Sequence, residues 1–216
     1  YPILDPTQYA SAYNYLNSMR DVILNSGQVT HKADFTWELH IIRDDNTLNA
    51  FCTPGGYIYV YTGLIKYLDN ASSLAGVLGH EMAHADKRHT TEAMTKQYGI
   101  STLLSLVLGK DSGLLVQVSE SLINLKFSRD NESEADKYSV IYLCPTKYKS
   151  DGAALFFEKM QASGSSNPPQ FLSTHPNPDN RIQAIEDEAK SLNCSGGTIS
   201  PSEENAGYAA FKASLP

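Results

Sequence analysis

The stretch His80-Glu81-Met82-Ala83-His84 decides how the rest of the chain is read. Successive residues of a helix turn by about 100°, so His80 and His84, four apart, stand one above the other on one face. Two imidazoles so placed can share one zinc ion, and Glu81 beside them can take a proton from a water that the metal polarises. The flanks suit a buried helix from Ala71 to about Lys87: Leu74, Ala75, Val77 and Leu78 precede the motif, and Ala83 and Ala85 allow close packing. The competing reading is a surface helix with two histidines and Glu81 as an ordinary helix former. A zinc peptidase also needs a third protein ligand and an open position for water.

The metzincin spacing would put Gly at Lys87 and His at Thr90, so it fails. His89 falls one residue early; on a continuous helix, five residues after His84, it turns off the ligand face and is expected to be exposed. The helical stretch Asn131 to Tyr142 opens with three carboxylates. Glu132 and Asp136, four apart, share a face, and Glu134 points away from it. Glu132 as ligand, with Asp136 hydrogen-bonding a ligand histidine, is one reading. An acidic helix start favoured by the macrodipole is the other.

At 216 residues the chain is one domain, or one with a small appendage, and 41% hydrophobic content is enough for a core. A net charge of −7 without a basic cluster argues against nucleic-acid binding. Cys52, Cys144 and Cys194 lack CxxC spacing, which argues against a cysteine zinc site. Cys144 and Cys194 fall at element ends; a bridge in an oxidising compartment and free thiols are both open. The chain begins at Tyr1 without an initiator Met and reads as a processed or trimmed chain, so any targeting segment lies outside view. The longest apolar run, Ile100 to Leu108, is too short to span a bilayer.

From the N-terminus, Asp5 to Ser26 reads as a helix ended by Gly27. Phe35 to Arg43 alternates as a strand, with His40 a partly exposed strand residue. Asn49 to Cys52 and Tyr57 to Tyr61 follow around a Pro54-Gly55-Gly56 turn. They predict a small antiparallel three-stranded sheet. A free edge at Asn49, Ala50 and Phe51, or at Tyr57 to Tyr61, would dock an extended peptide. Thereafter helices dominate: Thr62 to Leu68, the motif helix, Thr90 to Leu108, Leu114 to Phe127, Asn131 to Tyr142, Ala153 to Ser163, and Asp179 to Leu192 with Asp179 as N-cap. The expected organisation is an N-terminal helix over 1–34, a peptidase domain over 35–192 and a tail over 193–216 that wraps the domain.

Four blocks in order carry a family resemblance. They are Asn49-Ala50-Phe51 with Pro54-Gly55-Gly56 and Thr62-Gly63-Leu64; Leu78-Gly79-His80-Glu81-Met82-Ala83-His84; Ser128-Arg129 through Glu132 to Ala135-Asp136; and Ser173-Thr174-His175-Pro176 with Pro178 and Arg181-Ile182. They resemble the NAF…PGG…TGL, GHExAH, SRxxExxAD and STHPxPxxRI signatures of the gluzincin peptidases related to HtpX, the mitochondrial Oma-type protease and the CAAX prenyl proteases. The likeness covers roughly residues 35 to 190. Integral-membrane relatives carry transmembrane helices where this chain has the two short apolar helices between Ile100 and Phe127, so it resembles the soluble periplasmic members, the minigluzincins. Cys144-Pro145 departs from the usual Gly-Tyr-type loop.

The resemblance implies a mostly helical α+β, zincin-like fold with the sheet packed on the HExxH helix. It implies one Zn²⁺ per chain held by His80, His84 and Glu132, with Asp136 in support and Glu81 as general base. His175 would stabilise the transition state or occupy the open metal position in a latent state; Arg181 would bind the oxyanion or pair with a site carboxylate. The implied function is a zinc endopeptidase acting on misfolded or envelope proteins in the periplasm or cell envelope. The alternative is a latent, plugged, chaperone-like zinc protein, closed by His175 or by the tail. A metal-free helical binding module would require all four blocks to be coincidence.

Overall fold

A computed structural model describes residues 2–101, 125–163, 170–176, 180–194 and 196–216. Its elements, in order, are α1 (Ala10–Leu24), β1 (Leu39–Ile42), β2 (Ala50–Thr53), β3 (Tyr57–Tyr61), α2 (Thr62–Tyr67), α3 (Ala71–Asp86) and α4 (His89–Tyr98). Then come α5 (Arg129–Leu143), α6 (Gly152–Ala162), the short α7 (Gln170–Thr174), α8 (Arg181–Ser191), a π-helical turn at Ser202–Gly207 and α9 (Tyr208–Ala213). The expected helix over Leu114 to Phe127, the loop Gly164 to Pro169, and Pro178 and Asp179 lie wholly or mostly outside the described residues. No helix among the described residues is long and apolar enough to cross a membrane.

The motif helix α3 is the axis of the molecule. Every residue from Ala71 to Asp86 is buried, as expected of a helix with small or apolar side chains all round. Asn70 starts it by accepting a hydrogen bond from Ser73 N at 2.9 Å, a cap that contributes about 1 kcal/mol. Its first half crosses α6 with backbones touching: a Cβ on Gly76 would lie 2.0 Å from Ala153 N, and one on Gly152 2.1 Å from Ser72 O. Its second half faces α5, where Gly79 sits opposite Ser139 with more room, the nearest atoms 3.5 Å from a Cβ.

The sheet corrects one expectation. Its order is β1-β3-β2 and it is mixed: β2 and β3 form the expected antiparallel hairpin, but β1 runs parallel to β3. After β1 the chain crosses to the far side of β3's position, so β2 takes an outer place and β3 the centre. Tyr57 to Tyr61 is therefore not an edge. The outer side of β1 is taken by the N-terminal segment, through an Ile3–Ile42 bridge and Leu4 N to Ile41 O at 2.9 Å. Among the described residues no strand pairs with the outer side of β2.

β1 is also shorter than the Phe35 to Arg43 alternation suggests. Trp37 adopts φ +51, which breaks a strand. Its ring packs against Gly56, and Arg20 Nη1 donates to its carbonyl at 2.8 Å.

The tail folds onto the far end of α3 from the motif. A Cys144–Cys194 disulfide fixes its start. Thr198 N and Ile199 N donate to Lys147 O, both at 2.8 Å. Phe211 stacks on Tyr15 at 4.3 Å, and Tyr208 Oη donates to Ile65 O at 2.7 Å. Glu204 Oε2 accepts from Ser72 N at 3.2 Å and Ser72 Oγ at 2.9 Å, a carboxylate on the positive end of the helix dipole. His80 lies eight residues, about 12 Å, further along α3; the tail secures that helix and does not plug the motif.

Candidate metal centre

His80, Glu81 and His84 come from the second half of α3. Opposite them, α5 starts at Ser128, whose hydroxyl accepts from Asn131 N at 3.1 Å while Asn131 Oδ1 accepts from Ser128 N at 3.3 Å. This reciprocal cap starts the helix two residues earlier than the carboxylates suggest. It places Glu132 in the first turn and Asp136 one turn on, both toward α3. His175 follows α7, whose Phe171 N donates to Leu48 O at 3.1 Å and so hangs the helix beside the start of β2. Arg181 opens α8, after Asn180 in a left-handed conformation; Asn180 takes the N-cap place expected for Asp179.

These side chains converge. Ligand atoms of His80, His84, Glu132 and His175 all lie within 4.8 Å of one another. His80 Nε2 and His84 Nε2 are 3.0 Å apart, and Glu132 Oε1 is 3.3 Å from His84 Nε2. All four residues and Glu81 are at most 1% exposed. Within this buried cluster, Glu132 Oε1, His175 Nε2 and Glu81 Oε1 have no hydrogen-bond partner. Buried polar atoms seldom go unsatisfied. Two imidazole nitrogens and a carboxylate oxygen converging on one point, with orphaned lone pairs among them, are the donor set zinc takes; the residues present fit the ion.

The surroundings hold these side chains by charge. His80 Nδ1 lies 2.8 Å from Asp136 Oδ1, which leaves Nε2 to face the centre. Arg181 is buried and bidentate: Nε donates to Asp136 Oδ2 at 2.6 Å, and Nη2 to Asp136 Oδ1 at 2.7 Å and Glu132 Oε2 at 2.9 Å. Of its two expected roles, this is the pairing with site carboxylates. Its guanidinium also lies on the Phe157 ring, 3.9 Å from the centroid. Phe171 stacks on His175 at 4.1 Å and Phe127 on His84 at 3.9 Å, fixing both ring planes.

Burial alone would lower the His80 pKa, but Asp136 and Glu132 lift it to about 9. Burial prevails at His84 and takes it down to about 4. Burial would raise Glu132, yet the neighbouring imidazoles of His175, His80 and His84 hold it far below the usual carboxylate range. Asp136 is likewise held low by Arg181 and His80 against its burial. The centre thus keeps Glu132 and Asp136 anionic and His84 uncharged at neutral pH.

One expectation is overturned. His89 is buried, 3% exposed, with Nδ1 3.1 Å from His84 Nδ1 and Nε2 2.9 Å from Glu134 Oε2. The continuous helix assumed in placing it outside does not exist: α3 ends at Asp86, Arg88 takes φ +65, and the chain turns His89 back beneath His84. The Lys87-Arg88 pair was the available signal, since basic residues favour a helix C-terminus. Phe127 and Phe171 were missed as well; nothing local marks an aromatic that stacks on a histidine distant in sequence.

A buried two-histidine, one-glutamate cluster on two facing helices beside a small sheet is the zincin-like arrangement of a metalloendopeptidase domain. The chain belongs to peptidase family M48, which matches residues 12–189. It is 34% identical over 165 residues to the mitochondrial metalloendopeptidase OMA1 of Schizosaccharomyces pombe, covering 74% of this chain and 48% of that protein. It is 30% identical over 196 residues to the beta-barrel assembly-enhancing protease of Escherichia coli, covering 82% of this chain and 39% of that protein. Human OMA1 is 28% identical over 171 residues, covering 71% and 32%. The chain spans between a third and a half of the length of these relatives.

Proposed function

We propose that this chain is the catalytic part of a zinc-dependent endopeptidase that cleaves protein or peptide substrates. The observation that carries the reading is the convergence of His80, His84 and Glu132 around orphaned buried atoms, with Glu81 alongside. Zinc bound there would polarise the scissile carbonyl and acidify a water. Glu81 Oε1 takes the proton of the attacking water and delivers it to the leaving amine. His175 Nε2, 3.3 Å from Glu81 Oε1, donates to the developing oxyanion. Arg181 keeps Glu132 and Asp136 anionic and in place. The substrate lies extended along the outer side of β2, at Asn49, Ala50 and Phe51, as an added strand. The peptidase unit spans 35–192, with 1–34 and 193–216 packed on it.

The Cys144–Cys194 disulfide favours an oxidising compartment, in keeping with a periplasmic or cell-envelope protein that acts on misfolded or envelope proteins. Glu81→Gln tests the mechanism: one zinc per chain is retained and casein hydrolysis falls about 10³-fold, within the range of general-base loss. A Glu81→Gln protein that cleaves at the wild-type rate would sink it.

A second reading rests on one observation: His175 Nε2 lies within the ligand cluster, and the whole site is buried. His175 as fourth ligand closes the water position and makes this a latent, chaperone-like state. If so, His175→Ala raises chelator-sensitive casein cleavage; if His175 only stabilises the transition state, the same substitution lowers it.

A further inference from the structure

Glu134, His89 and His84 form a chain of contacts running from the surface to the proposed metal centre. Glu134 Oε2 lies 2.9 Å from His89 Nε2, and His89 Nδ1 lies 3.1 Å from His84 Nδ1. The proton positions follow from chemistry. An ionised carboxylate only accepts, so His89 Nε2 carries its hydrogen and donates it to Glu134. A neutral imidazole has one N–H, so His89 Nδ1 is left with a lone pair. His84 Nδ1 must then be the donor between the two rings, which strips the hydrogen from His84 Nε2. That nitrogen is the one facing His80 Nε2 at 3.0 Å and Glu132 Oε1 at 3.3 Å.

We infer that Glu134 and His89 are positioning residues that fix the tautomer and ring orientation of His84 for the metal. They are the counterpart, on the second histidine, of Asp136 on the first. Direct contact serves His80, whose Nδ1 meets a carboxylate on the same helix as Glu132. His84 lies one turn further along α3, and its Nδ1 meets an imidazole instead; the carboxylate that orients it acts at one remove. Glu134 has a side chain 48% exposed, so the chain opens to solvent at its outer end. The Phe127 ring, stacked at 3.9 Å and 22° on His84, keeps the imidazole in the plane that both hydrogen bonds require.

This inference rests on His84 being a zinc ligand, and the experiment separates the two claims. Zinc dissociation constants are measured by chelator competition on purified full chain for wild type, His84→Ala, His89→Ala, His89→Asn and Glu134→Ala. Loss of an orienting partner typically weakens metal binding 10- to 100-fold. The expected result is a loss of that size in His89→Ala and a several-fold loss in Glu134→Ala, an exposed change that leaves the core intact. His89→Asn, whose Oδ1 can take the place of Nδ1 as acceptor, recovers most of the affinity. A Glu134→Ala protein that binds zinc as wild type removes the carboxylate from the chain. His89→Asn no better than His89→Ala shows packing and not the hydrogen bond. Wild-type affinity in both His89 variants overturns the inference outright. His84→Ala binding zinc normally would instead overturn the ligand assignment.

Discussion

The two halves of α3 are held by opposite means. The first half is fixed by shape: Gly76 and Gly152 bring two helix backbones into contact, and the tail, tied by Cys144–Cys194, lays Glu204 on the helix start. The second half is fixed by charge: Asp136, Arg181 and Glu132 surround His80, His89 bonds His84, and polar atoms are left unsatisfied. The close-packed end buries one carboxylate, Glu204, set against the N–H and hydroxyl of Ser72 at the helix start. An end full of buried charge is expensive to desolvate, and its orphaned atoms make sense only with a cation among them. The division implies that stability and metal binding can be damaged separately.

The largest expected effect on stability comes from the disulfide, which closes a separation of 50 residues. Loop-closure entropy gives about 4 kcal/mol for a loop of that size. A Cys144→Ser/Cys194→Ser double variant should lose stability on that order in urea denaturation, while the folded fraction keeps one zinc per chain. Gly76→Ala comes next. Its methyl has no room against Ala153 N, so the α3–α6 crossing must separate, at a cost of about 3 kcal/mol. The midpoint of thermal unfolding should fall, again with zinc stoichiometry unchanged.

Asp86 ends α3 just past the motif. It accepts from Tyr142 Oη at 2.5 Å and from His31 N at 2.7 Å. Burial would raise its pKa, but these hydrogen bonds hold it below the ordinary carboxylate value. A depressed folded pKa means a contribution fully present above the unfolded value of about 3.9 and lost as pH falls through the folded one. Asp86→Asn should therefore cost about 2 kcal/mol at pH 7, and the gap to wild type should narrow as denaturation is repeated toward pH 3. The smallest effect is expected at Gly79→Ala. Its neighbours on Ser139 stand 3.5 Å away, so less than about 1 kcal/mol should be lost, partly repaid by helix propensity. A loss at Gly79 equal to that at Gly76 would erase the contrast between the halves.

How much of this was legible depended on whether the signal was local. The HEMAH helix, its burial and the Glu132–Asp136 face follow from helical spacing, and all come together in space. The parallel β1–β3 pair does not follow, because alternation reports a strand and not its neighbour. His89 went astray on a single residue: Arg88 in a left-handed turn, a conformation with no strong preference for Arg. Glu204 capping Ser72 from 132 residues away leaves no local pattern at all. The tail's path is set by contacts of that kind, although the sequence predicted that it would wrap the domain.

The central claim is that His80, His84 and Glu132 hold one zinc ion. The most direct measurement is a crystal structure of the zinc-loaded chain with anomalous data at the zinc edge. The expected result is a single peak bound by Nε2 of His80, Nε2 of His84 and a Glu132 carboxylate oxygen, with either a water or His175 in the fourth place. A peak elsewhere, or full zinc loading with Glu132 unligated, would contradict it.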